Sequence, residues 1–371
     1  MNKDKFKIII SGGGTGGHIF PAIAIANALK TKYPDSDILF IGAEDRMEMQ
    51  RVPQAGYKIV GLPIKGFYRK HLWKNLSVLM KLVKSLFKAR HIIKEFNPDV
   101  VVGVGGFASA PTLKAAEMLG IPTLIQEQNS YAGVTNKLLA KGAHKICVSY
   151  PDMNKFFPAN KILLTGNPVR QDLLNTKISP KEAKESLGLN PNRPVVLIVG
   201  GSLGAQSINE SLLQAIDILN QSETQYIWQT GKIYIDRIRK AILNKQSKNI
   251  IIKDFISDMA QVYAASDLIV SRAGAGSISE FCLLGKAVLL VPSPNVAEDH
   301  QTKNALALAN KNAALYLKDD ELKEKLIPTI ENTIQNKDLL TSLSQNIKKL
   351  ALSDSANIIA DEIAKLAHHN K

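Results

Sequence analysis

Short apolar runs rich in β-branched residues alternate with longer stretches of helical period along the whole chain. Residues 5–10, 38–41, 100–104, 122–125 and 145–148 predict strands, with helical segments such as 22–30 and 111–119 between them. The pattern restarts at 194–199 and continues through 226–229, 250–252, 268–270 and 287–291. Strands alternating with helices predict a parallel sheet covered on both faces. Both series open in the same way, with an apolar strand running into glycines and then into a helix. The expectation is therefore an α/β chain of two Rossmann-like, doubly wound domains. Turn-forming residues at Gly166-Asn167-Pro168-Val169 place the boundary, giving domains at 1–167 and 168–349. A last helical segment, about 350–371, is expected to pack back on the first domain.

Composition narrows the class. Of 371 residues, 45% are apolar and 22% charged, which excludes a disordered or fibrous chain. Two distant cysteines, Cys147 and Cys282, supply neither a disulfide framework nor a cysteine metal site. The window 8–29 has no formal charge and is long enough to span a bilayer. Its five glycines, His18 and Pro21 make it a strand, loop and helix instead, so no spanning segment is expected. Charge is uneven. The chain carries net +14, of which +12 falls within residues 1–165, and eleven basic residues but no acidic one lie between Glu48 and Glu95. Such a field attracts nucleic acid, anionic lipid or a diphosphate.

The glycines carry the first chemical signal. A loop directly after a strand turns sharply and leaves backbone N–H groups at a helix N-terminus free to meet a phosphate. Residues 12–17 satisfy G-x-G-x-x-G, and Glu44 and Asp45 end the second strand, where a dinucleotide fold would hold ribose. An NAD-dependent oxidoreductase is the reading of that match alone. Three such loops are present, however, at 12–18, 103–109 and 200–206, all at carboxyl ends of predicted strands. Two domains facing each other would gather several phosphate cradles in one cleft, whereas a dehydrogenase needs one.

Seven segments together resemble the MurG-type bacterial glycosyltransferases, glycosyltransferase family 28. They are 13–26, 103–109, Gln126-Glu127-Gln128-Asn129 with Gly133 and Asn136, 166–170, 200–206, 271–280 and 299–305, in order and spanning residues 8 to about 310. The resemblance implies a GT-B fold and inverting transfer of N-acetylglucosamine (GlcNAc) from UDP-GlcNAc to the 4-hydroxyl of the N-acetylmuramic acid (MurNAc) of lipid I. The product would be lipid II for peptidoglycan, with no obligate cofactor. It implies a ribose contact at Glu280, within Ala275-Gly276-Ser277-Ile278-Ser279-Glu280, and a phosphate contact at Ser202. It further implies a uracil contact through the backbone of Ile256, and contacts to the sugar at Gln301 and Asn129. From the residues alone Glu280 reads first as a first-turn carboxylate favoured by the helix dipole. Arg170 and Arg272 can neutralise a leaving diphosphate, or can be ordinary surface arginines. Thr15, Gly16 and Gly17 belong to the substrate-binding glycine loop. His18, ending that loop, suits a general base near neutral pH, and Glu127 is the competing base.

No metal is expected. Asp35-Ser36-Asp37 matches D-x-D in letters but precedes a strand instead of ending one. A nucleic-acid-binding module remains a rival on charge alone, against which stand an aromatic content of 6% and the lack of an RNA-recognition signature. The segment 72–94 reads as one helix. Leu72, Leu76, Leu79, Val83, Leu86 and Ile93 form its predicted core stripe, opposite Lys74, Lys81, Lys84 and Lys88. Trp73, Met80 and Phe87 recur along the border. An enzyme whose acceptor has a polyprenyl tail works at a membrane, so this helix is expected to dock on the anionic cytoplasmic face of the plasma (inner) membrane. Cell-wall and division proteins are the partners that the resemblance implies.

Overall fold

On the first strand Ile8 and Ile10 point to one face and Ile9 to the other, yet all three are fully buried, as a strand covered on both sides requires. The computed structural model describes residues 5–66, 75–169, 173, 178–201, 203–243, 245 and 249–369. Its chain divides into two compact units, 1–169 with 352–371, and 170–351.

The first unit is a parallel sheet of β1 (Lys7–Gly12), β2 (Asp37–Ala43), β3 (Lys58–Leu62), β4 (Val100–Gly105), β5 (Thr123–Glu127), β6 (Lys145–Val148) and β7 (Ile162–Leu164). Their spatial order is β3-β2-β1-β4-β5-β6-β7. One face of the sheet packs on the helix Gly16–Lys32 through Ile19, Ile25 and Leu29. Beside it, Ile359, Ile363 and Ala367 of the last helix, Ser355–His369, complete that core, and Lys32 is paired with Asp361 at 2.7 Å. The opposite face is covered by the helices Asn75–Phe96 and Ser109–Met118.

The second unit repeats the plan with β8 (Val195–Val199), β9 (Gln225–Gln229), β10 (Ile250–Lys253), β11 (Leu268–Ser271), β12 (Val288–Leu290) and β13 (Leu315–Tyr316). Their order is β10-β9-β8-β11-β12-β13. In each unit the order reverses beside its first strand, between β1 and β4 and between β8 and β11. Open α/β sheets bind ligands outside the carboxyl ends of the strands at such a point. All three glycine loops lie there.

Burial pushes the thiols of Cys147 and Cys282 up to about 12, which makes both packing residues. The helix Asn75–Phe96 is rotated from expectation. Its buried line is Val78, Ser85, Ala89, Ile92 and Ile93, whereas Leu79 and Val83, assigned above to the core, are 50% and 46% exposed. Small Ser85 and Ala89 on the inner line leave little bulk between this helix and its neighbours. Of the expected stripe, Ile93 is buried and Leu86 packs against the same core, while Leu79 and Val83 are turned outward. Leu72 and Trp73 lie outside the described residues.

Candidate active site

In the first unit the loop after β1 is built by backbone meeting backbone. Gly13 N donates to the Gly105 carbonyl at 3.3 Å, and a Cβ on Gly106 would lie 2.3 Å from Gly13 O. Glycine is required because two main chains occupy the space of a side chain. Thr15 is the N-cap of the helix Gly16–Lys32 without capping it through its side chain. The amides of Gly16 and Gly17 follow in the first turn. His18 sits in that turn, with Nδ1 3.0 Å from the Gly13 carbonyl oxygen and its ring edge against Gly105. A carbonyl only accepts, so Nδ1 carries the proton and Nε2 is the basic nitrogen.

Glu127 is arranged differently. It is buried, and its two oxygens accept from Asn129 N at 3.0 Å, Asn129 Nδ2 at 3.3 Å, Gly133 N at 3.0 Å and Asn136 Nδ2 at 2.8 Å. Four donors shape the loop after β5 around this carboxylate. Asn129 is thereby tied to the same loop. Glu48, which the sequence did not single out, is fully buried and takes Gly14 N at 2.9 Å and Ala43 N at 3.0 Å.

In the second unit a cavity of about 650 Å³ opens at the carboxyl ends of β8 and β11, lined among others by Gly201, Ser207, Arg272, Ser277, Gln301 and Asp319. Two helices start on it, Gln206–Gln214 and Ala275–Leu284, and neither N-terminus is capped by a side chain. First-turn N–H groups of helices suit phosphate oxygens. Beyond Gly274 and Gly276 there is open space where a side chain would stand. Ser279 turns its hydroxyl back to the Ala275 carbonyl at 3.0 Å, and the Ile278 side chain is buried, so this segment presents backbone more than side chains.

Glu280 is the sixth residue of its helix, so the first-turn dipole reading of it is corrected. It lies one turn beyond Ser277, where Tyr263 Oη donates to its carboxylate at 2.8 Å. Arg272 is no free surface cation. It pairs with Asp319 and donates to the Val291 and Pro292 carbonyls and to Ser207 Oγ. Asp319 matches its charge, and the guanidinium still lines the cavity. Gln301 accepts from Ser293 N at 2.8 Å through Oε1, an orientation that presents its amide N–H groups as donors. Ile256 is buried, with its N–H held by Gln229 Oε1 at 2.9 Å, while Gln229 Nε2 donates to the Gly201 carbonyl at 3.0 Å. Arg170 and Ser202 lie outside the described residues. Among the described residues no group of three or more His, Cys, Asp or Glu is placed to hold a metal ion.

Residues 8–148 match the model of the glycosyltransferase family 28 N-terminal domain, and residues 195–360 match that of its C-terminal domain. The chain belongs to glycosyltransferase family 28. Family 28 relatives resemble it over nearly their full length. A Bacteroides fragilis protein is 62% identical over 99% of this chain and 97% of its own. One from Phocaeicola vulgatus is 63% identical over 98% and 97%. Both are named UDP-N-acetylglucosamine--N-acetylmuramyl-(pentapeptide) pyrophosphoryl-undecaprenol N-acetylglucosamine transferase. The crystal structure of Acinetobacter baumannii MurG superposes with a TM-score of 0.78 at 29% identity, covering 97% of this chain and 99% of that one. The two parallel α/β units are thus those of the GT-B class to which family 28 belongs.

Glu48, Gln229, Ser207, Tyr263 and Asp319 are the site-shaping residues that sequence reasoning passed over. Only Gln229, ending a strand beside Thr230-Gly231, carried a positional signal.

Proposed function

We propose that this chain transfers GlcNAc from UDP-GlcNAc to the 4-hydroxyl of MurNAc in undecaprenyl-pyrophosphoryl-MurNAc-pentapeptide, lipid I, releasing UDP and lipid II. The observation that carries the reading is end-to-end identity above 60% with relatives of that named activity. The site chemistry agrees. Uncapped helix N-termini at Ala205–Ser207 and Ala275–Ser277 hold the diphosphate and take up charge as the bond from the anomeric carbon to the phosphate oxygen breaks. Arg170 and Ser202 are assigned to the same diphosphate, and Arg272 orders the loop beside it. The Ile256 backbone reads uracil, Glu280 accepts from the ribose hydroxyls, and Gln301 and Asn129 bind sugar groups. In the single displacement His18 Nε2 takes the proton of the attacking hydroxyl, and the configuration at the anomeric carbon inverts.

The rival dinucleotide reading of the first loop meets two carboxylates. Glu48 already occupies Gly14 N, and Glu44 is turned to Lys88 at 2.9 Å. UDP-GlcNAc is expected to raise the melting temperature while NADH does not. Replacing Glu280 by Ala removes a charged acceptor from two hydroxyls, a loss of about 1.5–3 kcal/mol in donor affinity. Calorimetric titration checks it, and unchanged affinity in folded E280A removes Glu280 from the site.

The acceptor's polyprenyl tail requires work at a bilayer, and no helix among the described residues is long and apolar enough to cross one. Peripheral docking through the helix Asn75–Phe96 fits. Met80 and Phe87 are 57% and 65% exposed, alongside outward Leu79 and Val83. An apolar groove of about 740 Å³, lined by Leu82, Val83, Leu86, Pro111 and Leu138, continues this surface. Lys84 is exposed and Lys81 half-buried, while Lys88 shares its charge with Glu44. Acyl chains of an anionic cytoplasmic leaflet suit the apolar surface, and the lysines suit its headgroups, at about 1 kcal/mol each. Changing Lys81, Lys84 and Lys88 together to Glu is expected to abolish flotation with anionic liposomes at low salt. Flotation equal to the parent's rules out this helix as the docking surface.

A further inference from the structure

We infer that Glu48 is a positioning residue for His18, acting through the single peptide group between Gly13 and Gly14. The inference rests on the reading of His18 as the base. That peptide is one planar unit whose carbonyl faces His18 Nδ1 at 3.0 Å and whose N–H donates to Glu48 Oε2 at 2.9 Å. A carboxylate on one end of an amide and an imidazole N–H on the other form a continuous chain of hydrogen bonds, and each polarises the next. The charge on Glu48 makes the Gly13 oxygen a stronger acceptor. This fixes the Nδ1–H form, keeps the lone pair on Nε2, and stabilises the imidazolium formed when Nε2 takes the hydroxyl proton. The direct carboxylate–histidine pair of hydrolases does the same work with no peptide between.

The carboxylate is held by the sheet and not by the loop it orders. Its other oxygen accepts from Ala43 N at the end of β2, and it is fully buried, where solvent screens it least. Two glycines make room for it. A Cβ on Gly13 would stand 2.1 Å from Glu48 Oε1, and one on Gly42 2.6 Å from Glu48 Cγ. Gly42 lies inside a strand and serves no turn, so the space for Glu48 is the reason for glycine there. On the far side Gly106 closes on the Gly13 oxygen and keeps it aimed at the ring.

A double-mutant cycle on the full chain separates this role from a general structural one. Glu48→Gln keeps the shape and removes the charge, and is expected to lower kcat about 10–100-fold, the range for losing a residue that orients a ligand or base. The donor KM should stay within about twofold, because the amides that Glu48 holds are those of Gly14 and Ala43, neither of which lines the donor cavity. Glu48→Asp keeps the charge and is expected to fall between Gln and the parent. In a His18→Ala background the same Glu48→Gln change should alter kcat by less than about threefold, since the group it serves is gone. An equal loss in both backgrounds overturns the relay while leaving His18 as base. Parent-level kcat in His18→Ala overturns the base reading and the relay with it. If Glu48→Gln does not fold, Glu48→Asp enters the cycle in its place. Imidazole ¹⁵N spectra of the unaltered protein provide an independent check: a proton on Nδ1 is expected, and one on Nε2 overturns the relay.

Discussion

Replacing His18 by Ala lowers kcat roughly 10²- to 10⁴-fold, the span for losing a general base, and leaves the affinity for UDP-GlcNAc at the parent value. The size follows from the chemistry. A sugar hydroxyl is a poor nucleophile while it keeps its proton, and the Gly13 carbonyl 3.0 Å from His18 Nδ1 holds the ring proton there, which makes Nε2 the basic nitrogen. The split between kcat and donor affinity follows from the fold, since His18 belongs to the first unit and the donor cavity to the second. Steady-state kinetics with calorimetric titration of the donor measure both. Near-parent turnover moves proton removal to another group or to solvent. Glu127, whose oxygens accept from Asn129, Gly133 and Asn136, is the competing candidate.

Gly204→Ala is expected to dismantle the donor cradle. Gly204 has φ +79°, and an added Cβ would lie 1.9 Å from the Thr230 carbonyl oxygen. That oxygen cannot withdraw, because it accepts from Asn209 Nδ2 at 2.9 Å while Thr230 N donates to the Lys253 carbonyl. The loop after β8 must therefore move. Left-handed backbone and main-chain overlap together cost about 2–5 kcal/mol. In a unit of this size that corresponds to a fall in melting temperature of about 4–20 °C, with a comparable loss in donor binding. Gly276→Ala is the control, since open space and an ordinary helical φ predict an undiminished melting temperature. Calorimetry that finds Gly204→Ala and Gly276→Ala equally stable contradicts this account of the loop.

The central strands were legible because they are buried on both faces and read as unbroken apolar runs, β6 to the residue. β3 and β13 were passed over, and β7 was read only as a strand ending before Gly166, without bounds. All three are sheet edges with half-covered side chains, and their apolar runs are short or interrupted. Glycine loops were legible as phosphate cradles, but which amide stays open was not. Glu48 takes Gly14 N from across the β1–β2 crossover, and no local spacing announces that contact. Arg272 and Asp319 lie 47 residues apart, so the partner that matches the arginine's charge was equally hidden. The helix Asn75–Phe96 shows a limit of periodicity. A 100° wheel places the leucines together, but the inward face was set by small Ser85 and Ala89, which a count of apolar residues ranks low.

The most direct test of the whole account is a turnover assay with purified protein, radiolabelled UDP-GlcNAc and a lipid I analogue, with His18→Ala run beside it. The account predicts one labelled GlcNAc transferred to the MurNAc 4-hydroxyl with inversion for each UDP released, and a rate lower by at least about 10² in the variant. Release of UDP without a disaccharide product, or no transfer by an enzyme that binds UDP-GlcNAc, would contradict it.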